Sequence, residues 1–311
     1  MTTGARAARN APGHQREIRP APPQMAGRIE LASSMVVDEA LRVIVASLLV
    51  HLRANENGLL ASEDPEYVHR MRVAVRRLRS ALRLFPGPAS AGLHGKQART
   101  LKNVADRLGK VRDLDVFAAS VAAAGVLPRA RENQLIAAIR VRAQIARDDA
   151  RACLRSADYA RLMSRISLWL LAQPRHPTAL RLVAFARREL TSGHKALMHR
   201  AARFARLAAG ERHRLRIEVK HARYAAEFFG GLFDHRAAQS YAGALAKLQD
   251  LLGSLTDINT AQVLLRELGC DEKTRECLIE AWSRQAAADD ALGGAIHTSD
   301  EAAGFWKRKR G

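Results

Sequence analysis

From Met35 onward, apolar residues recur every three to four positions along the chain, the spacing of amphipathic helices, and no convincing period-2 strand set interrupts them. The pattern breaks where Pro, Gly, Asn and Asp gather, at 55–65, 86–95, 125–128, 174–177, 208–211 and 230–235. The pieces between these breaks are long, and the chain is rich in Ala, Leu and Arg with only 5% aromatic residues, so the predicted fold class is all-α. Residues 1 to about 30 are Pro-rich and low in hydrophobicity, and read as a flexible tail. The stretch 291–311, ending in GFWKRKRG, reads as a solvated basic tail carrying one Trp.

Comparing the helical segments with one another exposes a duplication. VHRMRVAVRRLRSALRLF from Val68 aligns with RHRLRIEVKHARYAAEFF from Arg212, which puts His69 on His213 (213 − 69 = 144). Further on, LKNVADRLGKVRDLDV from Leu101 aligns with LAKLQDLLGSLTDINT from Leu245, which puts Asp113 on Asp257 at the same offset (257 − 113 = 144). Two motifs sharing one offset mark two helical halves, and a pseudo-twofold arrangement is the simplest way to bring their equivalent faces together.

Charge gives that repeat a chemistry. Lys and Arg total 51 against 31 acidic residues, a formal net charge of +20, which favours polyanionic partners. On a helix, His69, Arg72, Arg76, Arg79 and Arg83 fall within an arc of about 80° that rises about 21 Å along the axis. Val68, Met71, Val75, Leu78, Leu82 and Phe85 form the adjoining apolar arc. No acid lies in the cationic stripe, so its like charges repel at i,i+3 and i,i+4 unless an anion or a facing carboxylate compensates.

The second half repeats the stripe as His213, Arg216, Lys220 and Arg223, and places Glu227 where the first half has Arg83, which suggests an internally paired end. Planar guanidinium groups suit phosphate through paired charge-assisted hydrogen bonds, and a row of them suits a repeating phosphate chain. His69 and His213 read either as ligand contacts that respond to pH or as core histidines. Arg70, Arg77, Arg214 and His221 point roughly opposite the stripe and read as solvated.

Gly109 reads as the end of one helix and Asp113 as the cap of the next, with Asp115 in a similar structural duty. The alternative is that Asp113 and Asp115 orient stripe arginines while Arg112 faces the anion, Asp257 and Asn259 doing the same for the second half. Cys153, Cys270 and Cys277 form no CxxC pair, which points to a reducing compartment. With no apolar leader core and no apolar run of spanning length, the expected location is cytoplasmic. GxxxxGK[ST], HExxH and GxSxG are absent and no acid cluster suits Mg²⁺, so neither catalysis nor a metal or other cofactor is expected.

His69-x-x-Arg72-x-x-x-Arg76-Arg77-x-Arg79, then LGKVRDLDV, then His213-x-x-Arg216-x-x-x-Lys220-x-x-Arg223-Tyr224 together resemble the conserved histidine α-helical domain, or CHAD, family over about residues 33–290. The resemblance implies a compact pair of pseudo-twofold-related four-helix bundles, with halves at about 33–180 and 181–290. It also implies binding of inorganic polyphosphate on a basic channel or surface, with association of some members with polyphosphate granules. Other members carry a CYTH triphosphatase domain; its ExExK strand has no counterpart beyond Arg216-Ile217-Glu218-Val219-Lys220, which lies on a predicted helix. His221, Ala222 and Thr256 replace Arg77, Leu78 and Arg112 in the second half, which is expected to bind more weakly. Sequence-nonspecific nucleic-acid binding is the competing expectation, although the stripe lacks interleaved aromatic or amide residues.

Overall fold

The computed structural model describes residues 20–85, 87–172, 180–204, 209–285 and 289–307, and contains no strand among them beyond an isolated bridge. Its helices are α1 (Val37–Ala61), α2 (Pro65–Leu84), α3 (Lys96–Ala124), α4 (Arg129–Leu154), α5 (Ala157–Leu171), α6 (Leu182–Ala201), α7 (Ala209–Phe229), α8 (His235–Glu267), α9 (Glu272–Gln285) and α10 (Asp289–Glu301). The all-α reading of the sequence holds. The expected break at 174–177 lies outside the described residues.

Local chemistry explains most boundaries. Asp64 caps α2 by accepting from the Glu66 backbone N–H at 2.8 Å, with Pro65 in the first helical position where its missing donor costs nothing. Gly125 ends α3 at φ 61°, a left-handed conformation that a Cβ would strain. α1 continues past Asn55 to Ala61, and Gly58 within it marks a packing contact and not a break: it lies against the ring of Tyr67, where any side chain would overlap that ring. The α4–α5 boundary has neither Gly nor Pro; Ser156 makes it by accepting from the Tyr159 backbone N–H at 3.2 Å.

α2 packs between α1 and α3, α7 packs between α6 and α8, and α2 and α7 touch each other. The apolar arcs read from the sequence form the core: Val68, Met71, Val75 and Phe85 of the α2 segment, and Leu215, Val219 and Phe229 of the α7 segment, are fully buried. Phe85 and Phe229 hold equivalent places in the repeat (229 − 85 = 144) and pack against each other with ring centroids 5.7 Å apart. An antiparallel bridge between Val36 and Arg181 joins the starts of α1 and α6, through Val37 N–H to Leu180 O at 3.2 Å and Leu182 N–H to Met35 O at 3.1 Å.

The described parts of both ends, 20–31 and 289–307, depart from the expectation of a flexible N-terminal and a solvated C-terminal tail. Residues 20–31 are docked: the Tyr67 hydroxyl donates to Ala21 O at 2.8 Å, Asn55 exchanges two hydrogen bonds with the Gln24 backbone, and Ile29 and Leu31 pack on the core. At the other end α10 is helical, Phe305 and Trp306 are buried, and the Trp306 indole donates to Thr191 Oγ1 at 2.8 Å. An amphipathic ring beside basic residues suggested solvation, but a cluster with Tyr241, Phe305 and His194 buries it. Trp306→Ala is therefore expected to destabilise the protein by about 3–5 kcal/mol, the loss typical of a buried large aromatic, as read from urea denaturation. A change below about 1 kcal/mol would show the C-terminal helix to be an ornament on the fold.

Candidate functional site

The stripe does not form one continuous surface; contact with α7 divides it. Arg72, Arg76 and Arg79 of α2 line a groove of about 690 Å³, with Lys220 of α7 on the same groove. α3 contributes Lys110 and Asp113, α4 contributes Arg142, and α8 contributes Thr260 and Glu267. Lys110 and Arg142 escaped the sequence reading because each is one charge among many on a mixed helix face. Arg142 is tied to α8 by a 3.2 Å ion pair with Glu267.

Carboxylates hold the edges of this cluster. Asp113 pairs with Arg72 at 3.7 Å, and Glu227 pairs with both Arg223 at 3.4 Å and Arg77 at 3.6 Å. No ion pair among the described residues joins Arg76, Arg79 or Lys220 to an acid. Arg76 is supported instead by an aromatic face, its guanidinium lying 5.6 Å from the Tyr224 ring centroid, while Arg223 lies 5.1 Å from the same ring. Tyr224 itself is 1% exposed, so it acts as a platform under the cations rather than a surface for a ligand.

The expectation that Gly109 ends a helix and Asp113 or Asp115 caps the next is overturned. α3 runs unbroken through all three residues, and α8 likewise runs through Gly253. A Cβ on Gly109 would lie 3.9 Å from Arg72 Nε, and one on Gly253 would lie 3.6 Å from Arg216 Nη2. Each glycine thus lies within ordinary contact range of an arginine of the preceding long helix, and the two pairs share the repeat offset. Asp115 reaches Arg147 of α4 at 3.4 Å rather than a stripe arginine, so its partner joins helices and not the groove. Arg112 acts electrostatically on His69, Asp113 and Asp115. Asp257, with Thr256 and Asn259, lies outside the residues whose side chains are described.

The remaining predicted residues divide. His69 is half-buried, and burial first, then Arg112, lowers its proton affinity. His213 is exposed in the first turns of α7. Arg216 lies close enough to Asp113 and Lys220 to shift both. Arg83 lines a separate cavity with Glu189, Glu218 and His221. The solvated reading holds for the exposed Arg214 but fails for Arg77 and His221. Arg77 lies 5.5 Å from the Phe228 ring centroid beneath the α2–α7 contact, and burial with Arg83 and Lys220 pushes His221 down to about 4.

Crowding has its largest effect on Lys220. Burial, then Arg76, Arg216, Arg72 and Arg79 in turn, pushes its ammonium down to about 8. An NMR titration of the Lys220 ammonium is expected to show a midpoint near 8. Arg79→Gln, which removes one of the repelling charges from an exposed position, is expected to raise that midpoint. A midpoint near the ordinary lysine value in the unaltered protein would mean that the four arginines do not converge on this amine.

Among the described residues no group of three or more His, Cys, Asp or Glu could hold a metal ion, and no helix is long and apolar enough to cross a membrane. The three cysteines are unpaired. Comparison with solved structures places the chain beside the CHAD domain from the plant Ricinus communis, with 33% identity and a TM-score of 0.75 over 88% of this chain and 96% of that one. PptA from Streptomyces chartreusis has the same overall fold at 15% identity and a TM-score of 0.55, over 87% of this chain and 99% of that one. No curated protein matches the chain significantly. The CHAD domain family model matches residues 43–266, so the continuous α3, the α2–α7 contact and the cationic groove belong to a member of the CHAD family.

Proposed function

We propose that the chain is a non-enzymatic binding protein for inorganic polyphosphate, held in the α2–α7 groove. The observation that carries this reading is the convergence of Arg72, Arg76, Arg79 and Lys220 on one groove, three of them without a carboxylate partner among the described residues. A repeating phosphate chain offers closely spaced charges to such a row, and guanidinium groups can each hold two of its oxygens. Arg216 and Arg223 extend the site on α7, and His69 and Arg112 extend it along the first half. The two halves are related by a pseudo-twofold axis near the Phe85–Phe229 contact, with the second contributing the weaker face. Polyphosphate granules in the cytoplasm are the proposed place of action.

Nucleic acid would share the salt dependence but gains much of its single-strand affinity from aromatic faces open to bases. The aromatic ring nearest the cations, Tyr224, is buried beneath them, which favours a ligand made only of phosphate.

Polyphosphate binding is expected to weaken steeply with salt. Replacing Arg72, Arg76 and Arg79 by Gln is expected to lower affinity at least a hundredfold, taking about 1–3 kcal/mol for each charge-assisted contact. Replacing the exposed Arg129, Arg140 and Arg165 is expected to change it only slightly. Equal losses in both triple variants would indicate diffuse attraction to a basic surface, and tighter binding of single-stranded nucleic acid at matched salt would transfer the site to that ligand. Release of phosphate in the presence of Mg²⁺ or Mn²⁺ would overturn the non-enzymatic reading.

Lys220 gives the binding a pH signature. An anion beside the ammonium raises its proton affinity, so binding takes up a proton at pH values above the free protein's midpoint of about 8. Affinity is therefore full below that midpoint and falls as pH rises through it, by up to about tenfold per unit. Lys220→Arg, charged throughout the range, is expected to flatten this slope; an unchanged slope in that variant would place the titrating group elsewhere.

A further inference from the structure

A lysine that is partly deprotonated inside a cationic groove is a nucleophile placed where anions collect. Lys220 projects from α7 into the groove formed with Arg72, Arg76 and Arg79, and no acid among the described residues pairs with it. Other lysines differ in one respect or the other. Lys96 and Lys102 are well exposed and paired with Asp158 and Asp106. Lys110 lines the same groove but from an exposed position on α3.

We propose that Lys220 is a site of acylation by small anionic acyl phosphates, which the groove's arginines hold by the phosphate, and that the modification weakens the groove's grip on polyanions. The second clause rests on the polyphosphate reading; the first does not. The neutral Nζ attacks the acyl carbon, the new C–N bond replaces the C–O bond to phosphate, and inorganic phosphate leaves with the bonding pair. The proton lost from the nitrogen passes to the departing phosphate or to water, so no oxidant, reductant or further reactant is needed. Arg79 and Arg76 neutralise the charge that accumulates on the leaving phosphate, the kind of electrostatic assistance that an exposed lysine lacks.

The depressed proton affinity of Lys220 adds to this placement. At pH 7.5 the neutral fraction of an amine titrating near 8 is on the order of a hundredfold that of an ordinary lysine, and lower intrinsic nucleophilicity reduces the net gain to about tenfold. Acylation replaces an ammonium with a neutral amide, removing the cation that α7 contributes to this groove and one donor set with it.

The test is to incubate the full chain with acetyl phosphate at pH 7.5 and follow each lysine by peptide mass spectrometry, with a neutral N-hydroxysuccinimide acetate ester in a parallel reaction. Lys220 is expected to be acetylated at least about tenfold faster than Lys96, Lys102 or Lys110 by acetyl phosphate. In the exposed-site variant Arg79→Gln that preference is expected to fall further with acetyl phosphate than with the neutral ester, because the raised midpoint of the amine slows both donors and only the anionic donor also needs the arginine. Acetylation of Lys220 no faster than that of the exposed lysines would overturn the proposal. So would an equal effect of Arg79→Gln on both donors, since the groove would then not be guiding the phosphate. Polyphosphate added beforehand separates the two readings. Protection of Lys220 supports both, whereas selective acetylation without protection retains the reactive lysine and removes polyphosphate from this groove. Binding of polyphosphate without selective acetylation does the reverse.

Discussion

The contact between α2 and α7 is the constraint on which the rest depends. It brings Arg72, Arg76 and Arg79 within reach of Lys220, an arrangement that like-charge repulsion opposes. What holds it is apolar: beside the cations, Val68, Met71 and Val75 on one helix and Leu215 and Val219 on the other are buried, and Phe85 meets Phe229 at the end of the contact. Burial of such side chains is worth about 1.5–3 kcal/mol each, enough for the core to carry several exposed or half-exposed repulsions of a few tenths. The position of the cations is thus set by the residues next to them and not by their own interactions.

Acids are distributed so as to steady this cluster without cancelling it. Asp113 holds Arg72 at one edge, and Glu227 bridges Arg77 and Arg223 at another. Arg76 is steadied by the Tyr224 ring, a support that restrains the guanidinium without a carboxylate to cancel its charge. Arg72 and Arg216 pass within contact range of Gly109 on α3 and Gly253 on α8.

The parts of this site that follow a helical period were legible in the sequence, and the parts that follow a helix–helix contact were not. The stripe and its apolar neighbours repeat at 3.6 residues, so Arg72, Arg76 and Arg79 could be placed on one face before any packing was known. Arg77 and His221 share the opposite face by the same rule, yet both are half-buried against neighbouring helices, Arg77 against Phe228 of α7 and His221 in the cavity it shares with Arg83, which periodicity within one helix does not encode. Arg83 shows the converse: it lies within the stripe's arc but beyond the contact, and so opens into a different cavity. Glycine misled at Gly109 because a glycine that ends a helix and one carried inside a continuous helix look alike in one dimension. The burial of Trp306 depends on Tyr241 and His194, more than sixty residues away, and local basic composition gave the opposite signal.

The substitution of Lys220 for a second arginine follows from the same packing. Arg76 and Lys220 are equivalent in the repeat (220 − 76 = 144), and so are Ser80 and Tyr224 (224 − 80 = 144). Arg76 rests on the ring of Tyr224, but the position that would supply Lys220 with a matching ring holds the small, buried Ser80. A planar guanidinium without a flat partner loses the support that orients it, whereas a compact ammonium needs none. An ammonium is also the only one of these cations whose charge can be withdrawn near neutral pH, and it stands where four arginines press on it. A serine in one half where the other has a tyrosine thereby goes with an adjustable charge in place of a fixed one, and makes the two sides of the groove chemically unequal.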